Sequence, residues 1–419
     1  MVGLRSWVKI PDDSDFTLNN IPFGIFKRPR GSARVGSALG DFVIDLSLMA
    51  EEGFFDDLDL PDLSVFYEEV LNPFIGLGKK ATNSVRQKIM EIFQEGNNLL
   101  RNQVDLVDQV LIPDKDVKML LPVKVGDYTD FYSSEEHAKN VGSMFRDPDH
   151  ALLPNWKHLP VAYHGRSSSI IVSGEPVIRP KGQFKTPDVE LPVFGPTKKL
   201  DFELELAFIT GKATRLGESI STQHAEGHIF GFVLFNDWSA RDIQAWEYFP
   251  LGPFLGKNFA SSISPWVVTS EALLPFKVPG PTQEPEVLPY LQVKGDKNFN
   301  INLTAAIQPE NGPEKIISQT NFKNMYWNVN QQLAHHTING CNINIGDIYA
   351  SGTISGPKPG SYGSLLELSW NGTKPITLAD NSSRTYLNDG DTVILRGYAG
   401  SKEYRVGFGE VRAKILSAK

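Results

Sequence analysis

Asp237, Arg241, Gln244 and Tyr248 follow one another at intervals of four, three and four residues. On a helix of about 3.6 residues per turn that spacing sets them in one column. The column runs carboxylate, guanidinium, amide, phenol, and Gly256-Lys257 beyond it adds an ammonium. Such a set can help hold a cation at one end and meet developing negative charge at the other. The plain alternative is an amphipathic helix laced with surface ion pairs. The apolar run 229–235 reads as a buried strand leading into this helix. Ser239 reads as the N-cap, Pro250 with Gly252 as the stop, and Ala240, Ile243 and Trp246 fall on faces that can pack.

Three kinds of chemistry are written elsewhere in the chain. Residues 200–208 alternate with period two, so Phe202, Leu204 and Leu206 take one face of a strand and Asp201, Glu203 and Glu205 the other. Alternating carboxylates are commonly a solvated face. If Leu204 and its neighbours lie in a core, however, Glu203 and Glu205, with Asp237 at the strand-to-helix junction and Asp130 after an irregular turn, need a cation. A donor set made only of oxygen suits Mg2+ or Ca2+ rather than Zn2+. His137 can act as a general base if a carboxylate fixes its tautomer, and Glu367, in an apolar run read as a strand, is the best downstream partner. His224, His228 and the His335-His336 pair read as structural. Arg146, Arg241 and Lys257 can meet anionic groups. Ser351-Gly-Thr353-Ile-Ser-Gly356 can present backbone N–H groups and the Thr353 hydroxyl to a carboxylate, but it lacks the Gly-Lys-Ser/Thr of a phosphate loop. Cys341 has no nucleophile signature and reads as a core residue.

The elements that must position these residues are mostly strands. The chain has 419 residues, 41% apolar and 21% charged, and its 36 glycines and 28 prolines favour turns and short strands. Short strands at 23–26, 34–36 and 42–46, with helices at 56–69 and 81–99, make a first unit of residues 1–118. Residues 119–419 form a larger unit, with a strand at 170–172, a helix at 325–336 and β-type runs at 347–351, 365–370, 392–396 and 404–408. Few helices interrupt the last part, which points to a mainly β or α+β fold with antiparallel or mixed sheets. A net charge of −8 without a basic run disfavours nucleic acid. The single cysteine fits a reducing compartment. Residues 1–16 lack the apolar core of a signal peptide, and no apolar run nears the ~18 residues of a membrane span. A cytoplasmic protein without a membrane partner is the expectation.

Gly126-Asp-Tyr-Thr-Asp-Phe-Tyr-Ser-Ser, Leu153-Pro-Asn-Trp, Tyr163-His-Gly-Arg, Asn236-Asp-Trp-Ser-Ala-Arg-Asp-Ile-Gln, Leu251-Gly-Pro-Phe-Leu-Gly-Lys and Ala350-Ser-Gly-Thr-Ile-Ser-Gly together resemble the fumarylacetoacetate hydrolase family, in order and over nearly the whole chain. The resemblance implies hydrolysis of a carbon–carbon bond in 4-fumarylacetoacetate, a small diketo dicarboxylic acid, giving fumarate and acetoacetate in the last step of tyrosine and phenylalanine breakdown. It implies Mg2+ and/or Ca2+ on Asp130, Glu203, Glu205 and Asp237, with Lys257 and Ser261 in a further ion-binding shell; Ser261 stands where a threonine is expected, and keeps the hydroxyl. His137 and Glu367 match the water-activating pair, and Arg241, Gln244 and Lys257 the residues that stabilise the leaving carbanion. Tyr132, Arg146, Tyr163, Tyr248 and Thr353 match substrate contacts. A small SH3-like N-terminal β-roll, a β-roll catalytic domain and a homodimer are also implied.

The residues agree with that chemistry: a β-diketone offers two oxygens to a hard cation, and no Ser or Cys motif asks for a covalent intermediate. Two alternatives remain at this stage. One is a related decarboxylase or hydratase of 2-oxo acids, which the same carboxylates would serve. The other is a scaffold that keeps the fold without turnover, which loss of His137 or Glu367 would signal; both are present.

Overall fold

Alternating apolar residues broken by glycine and aspartate turns fold the start of the chain into a five-stranded antiparallel sheet in a computed structural model that describes residues 3–186 and 190–419. Its strands lie in the order Leu111–Pro113, Phe42–Asp45, Ala33–Leu39, Phe23–Lys27 and Lys118–Leu120. Helix Lys79–Phe93 covers it, and its i, i+4 and i+7 residues Val85, Ile89 and Ile92 are fully buried. That helix stops at Phe93 rather than at 99, because Gln94 turns extended and Gly96 takes φ 91°. The helix expected at 56–69 does not form. Pro61 interrupts it, and the Asp62 carboxylate takes the Ser64 N–H at 2.8 Å, leaving one 3-10 turn, Ser64–Tyr67.

The rest of the chain is built on two further sheets. The larger, of eight strands, runs in the order Ala162–His164, Tyr128–Phe131, Ile348–Ala350, Leu204–Thr210, Ile229–Asp237, Ser261–Ile263 and Ile170–Val172, with Val268–Thr269 paired beside Ile229–Asp237. The other has five: Lys315–Asn321, Ile301–Gln308, Thr392–Gly400, Arg405–Leu416 and Val177–Ile178. All nine residues of Ile229–Asp237 are buried. The cause is that this strand has no wet face. Phe232 and Leu234 share a cluster with Leu303 and Leu395 of the second sheet and with Phe299 just before it, while Val233 and Phe235 join the cluster of the N-terminal sheet and its helices. A strand covered on both faces reads as a continuous apolar run, as this one does. Each such side chain contributes about 1.5–3 kcal/mol by leaving water.

The fold is mainly β with short helices, as expected. Three local expectations need correction. The helix predicted at 325–336 starts later, as Val329–Thr337, because Asn328 and Gln331 form a reciprocal cap. Residues 365–370 are not a strand: Leu365–Leu368 is one helical turn capped by Ser364. Cys341 is half-buried rather than in the core. Among the described residues no helix is long and apolar enough to cross a membrane.

Candidate active site

The carboxylates meet where three strands converge. Asp237 closes strand Ile229–Asp237, Glu205 lies in Leu204–Thr210 with Glu203 just before it, and Asp130 lies in Tyr128–Phe131. Pairing of Leu204 with Asn236 and of Ala350 with Asp130 sets the register. One oxygen from each of Asp130, Glu203, Glu205 and Asp237 lies within 4.8 Å of the others, and all four residues are buried. Glu203 and Glu205 are therefore not a solvated face.

The charges do not balance within the protein. Lys257 Nζ bonds Glu203 Oε2 and, at 2.5 Å, Asp237 Oδ2. Arg241 Nη1 lies 2.7 Å from Glu203 Oε1, and its Nε donates to Asp201 Oδ2 at 2.8 Å. Asp130, Asp201, Glu203, Glu205 and Asp237 thus face two cations, Arg241 and Lys257. Burial pushes Glu203 up, but Lys257 and Arg241 outweigh it and hold its carboxyl at about 2. Asp130 and Glu205 bond neither cation: burial, then repulsion from the other carboxylates, outweighs the pull of Lys257 and drives both well above the usual carboxylate range. Asp130 Oδ1 and Glu205 Oε1 are buried without a hydrogen-bond partner. Two orphaned oxygens and uncompensated negative charge fit a hard divalent cation.

Beside this cluster stands an imidazole. Ser134 caps helix Glu135–Phe145, its Oγ accepting the His137 N–H at 3.3 Å, and His137 Nδ1 lies 2.7 Å from Glu367 Oε2. A carboxylate at Nδ1 calls for the proton there, which leaves Nε2 as the acceptor of a neutral ring. Glu367 also receives Asn140 Nδ2 at 2.9 Å and the hydroxyls of Ser355 and Ser364 at 2.8 Å. Burial raises its pKa, but His137 and these donors more than offset that, and the net shift is downward. The Tyr132 ring meets His137 edge-on at 5.2 Å, and burial with nearby Glu367 pushes its phenol up.

The predicted helical column survives only in part. The helix is Arg241–Glu247, its N-cap is Ala240, and Ser239 instead pairs with Asp201 across a short ladder. Asp237 belongs to the strand, so Arg241 bonds neither it nor Asp242, whose carboxylate is taken by Thr197 and the Lys198 N–H. Gln244 stays beside Arg241, at 3.4 Å from Nη1. Trp246 is exposed rather than packed, and Tyr248 is exposed as well. Asp201, the actual partner of Arg241, was visible in the period-two pattern but carried no assigned role.

The remaining candidates divide by depth. The Tyr163 hydroxyl donates to Asp237 Oδ2 at 2.7 Å, and the Ser261 hydroxyl to Asp237 Oδ1 at 3.2 Å. Thr353 is buried in the glycine loop, where the Gly352 N–H donates to Glu205 Oε2 at 3.0 Å. Gly352 has φ 77°, and a Cβ there would meet the Phe131 carbonyl oxygen at 2.3 Å, so the loop passes this close only as glycine. Arg146 and Tyr248 are exposed, Arg146 bonded to the Ala151 carbonyl at 2.6 Å. The other histidines stay apart from the cluster: His224 bonds Ser221, His228 the Lys212 carbonyl, and His335 Tyr290.

A buried oxygen-donor cluster beside a carboxylate-held imidazole, with a guanidinium and an ammonium at hand, has the groups that an acid–base enzyme site needs. Residues 127–416 match the family model for the fumarylacetoacetate (FAA) hydrolase C-terminal region, and residues 19–122 the model for the fumarylacetoacetase N-terminal region. The chain is 51% identical to a fumarylacetoacetase of Dictyostelium discoideum, over 99% of this chain and 98% of the relative, and 49% identical to that of Homo sapiens over 99% of both. A fumarylacetoacetate hydrolase of Exiguobacterium antarcticum superposes with a TM-score of 0.55 at 18% identity, over 95% of this chain and 100% of that one, a likeness of fold. The chain belongs to the fumarylacetoacetase family of hydrolases.

Proposed function

We propose that the protein hydrolyses the carbon–carbon bond of 4-fumarylacetoacetate to fumarate and acetoacetate, the last step of tyrosine and phenylalanine catabolism. The observation that carries this reading is the His137–Glu367 pair at 2.7 Å beside four buried carboxylates that lack sufficient counter-charge. Asp130, Glu203, Glu205 and Asp237 would hold Mg2+ and/or Ca2+, which would polarise the substrate carbonyl; Lys257 and Ser261 brace Asp237 from behind.

His137 Nε2 takes a proton from water as the water oxygen bonds the carbonyl carbon, and Glu367 stabilises the imidazolium that results. The carbon–carbon bond then breaks with its electron pair leaving on the acetoacetate fragment. Arg241, Gln244 and Lys257 face that developing charge, which spreads as an enolate, and the His137 proton returns to carbon. Tyr132, Tyr163 and Thr353 line the interior, and the exposed Arg146 and Tyr248 receive a substrate carboxylate.

In the same reading the chain is cytoplasmic, forms a homodimer, and divides into an SH3-like unit of residues 1–118 and a catalytic β-roll of residues 119–419. The test is consumption of fumarylacetoacetate, followed as loss of diketone absorbance with and without EDTA and with oxaloacetate as a parallel substrate. Turnover of oxaloacetate alone overturns the reading in favour of a 2-oxo acid decarboxylase. Turnover of neither favours a scaffold.

A further inference from the structure

Asp201 is fully buried at the end of the short strand Leu200–Asp201, and its carboxylate is saturated. Oδ2 accepts Arg241 Nε at 2.8 Å and the Leu366 N–H at 2.9 Å, and Oδ1 accepts the N–H groups of Leu365 at 2.7 Å and Phe202 at 2.8 Å. One side chain therefore touches two arms of the site directly. The first arm is Arg241, whose backbone N–H is fastened to the Lys199 carbonyl at 3.0 Å. With Nε held by Asp201 and Nη1 by Glu203, the guanidinium plane is fixed, and the buried Nη2 is left without a partner. The second arm is the single turn Leu365–Leu368, which carries Glu367 and hence His137. The first N–H groups of a helix have no partner within it, so Asp201 supplies what so short a turn cannot.

We propose that Asp201 is a positioning residue for the reaction: it sets the guanidinium of Arg241 and the turn bearing Glu367 in a fixed mutual geometry. This rests on the hydrolytic reading above. Its consequence is a common origin for the two arms, since a shift of Asp201 misplaces both the charge that meets the leaving carbanion and the carboxylate that holds the base. Misplacement of that kind slows the chemical step more than it weakens binding.

The experiment is a double-mutant cycle on full-length protein with fumarylacetoacetate. Asp201→Asn keeps the volume but turns an amide NH2 toward donors it cannot accept. It is expected to lower kcat by about 10- to 100-fold with KM changed less than threefold. In an Arg241→Ala background the same substitution is expected to cost markedly less, because one of the arms it acts through is already gone. Losses that simply multiply, or folded Asp201→Asn with wild-type kcat, overturn the proposal and leave the assigned reaction standing. Wild-type protein that fails to consume fumarylacetoacetate sinks both. Should Asp201→Asn not yield folded protein, Asp201→Ser takes its place; if neither folds, Asp201 is a folding residue and the proposal fails.

Discussion

Glu367 and the Asp130–Glu205 pair are equally buried carboxylates in one site, and the protein treats them in opposite ways. Glu367 is surrounded by donors from His137, Asn140, Ser355 and Ser364, and its pKa moves down in spite of burial. Asp130 and Glu205 face other carboxylates, each has an oxygen without a partner, and both move well up. Burial alone therefore does not decide what a carboxylate is for. Where the protein supplies the donors, the charge is complete and can orient a neighbour. Where it withholds them, oxygens are left free to meet a cation from outside.

The largest effect is expected on the incomplete side. Asp237→Ala removes an anionic donor together with the acceptor of Tyr163 and Ser261. It should abolish turnover and weaken Mg2+ and Ca2+ binding, while the circular dichroism spectrum stays native. Undiminished affinity in a calorimetric titration would remove Asp237 from the ligand set. In the wild type, cation at about 100 times its Kd should add roughly 2.7 kcal/mol to stability.

On the complete side, His137→Ala should lower kcat by about two to four orders of magnitude while a product analogue still binds. Retained turnover would show that Glu367, however well held, orients nothing that reacts. The contrast itself is broken or kept by a pair of stability measurements in EDTA. Glu205→Gln removes a repelled charge yet can still accept the Gly352 N–H, so it should raise the denaturant midpoint of the metal-free protein. Glu367→Gln turns an amide NH2 on donors and should lower the midpoint, for a stability loss of about 1–3 kcal/mol. Equal effects of the two substitutions would mean that the donor sets make no difference.

The sequence shows the strands better than the site's internal wiring, for a physical reason. The run 229–235 is apolar without alternation because both faces of its strand are covered, and the alternation at 203–205 holds because that face meets the cluster. Both are one-dimensional signals. The pairing of His137 with Glu367 follows from residue type, but Leu-Leu-Glu-Leu reads as a strand and folds as a turn: four apolar-rich residues do not distinguish the two, and Ser364 with Asp201 decides in favour of the turn. The helical column failed at Asp237 because a strand runs two residues further than its apolar stretch. The partner of Arg241 is out of reach of sequence spacing, since Asp201 lies forty residues away and is brought there by the two-residue ladder with Ser239–Ala240 and by the Arg241 N–H on the Lys199 carbonyl.

The smallest expected effect lies outside the site, at a group treated like neither carboxylate. His336 is half-buried with its ring edge-on to Tyr349 at 4.9 Å, and burial, reinforced by the charges of His164 and His335, lowers its pKa to about 4 from 6.5. Asp127 pulls the other way but is outweighed, so the folded ring stays neutral down to about pH 4. Between pH 6.5 and 4 the unfolded chain binds a proton that the folded chain refuses, so stability rises with pH across that window and is lost on acidification. With allowance for solvent reaching the ring, the loss is on the order of 2 kcal/mol. His336→Phe keeps the ring contact without the titration. Urea midpoints at pH 7 and pH 4.5 for both proteins isolate the term, because carboxylates such as Glu367 titrate alike in each. The wild type should lose more on acidification than the variant, by up to that amount. Parallel pH profiles would place the proton elsewhere, and the buried face of His336 would then contribute through packing alone.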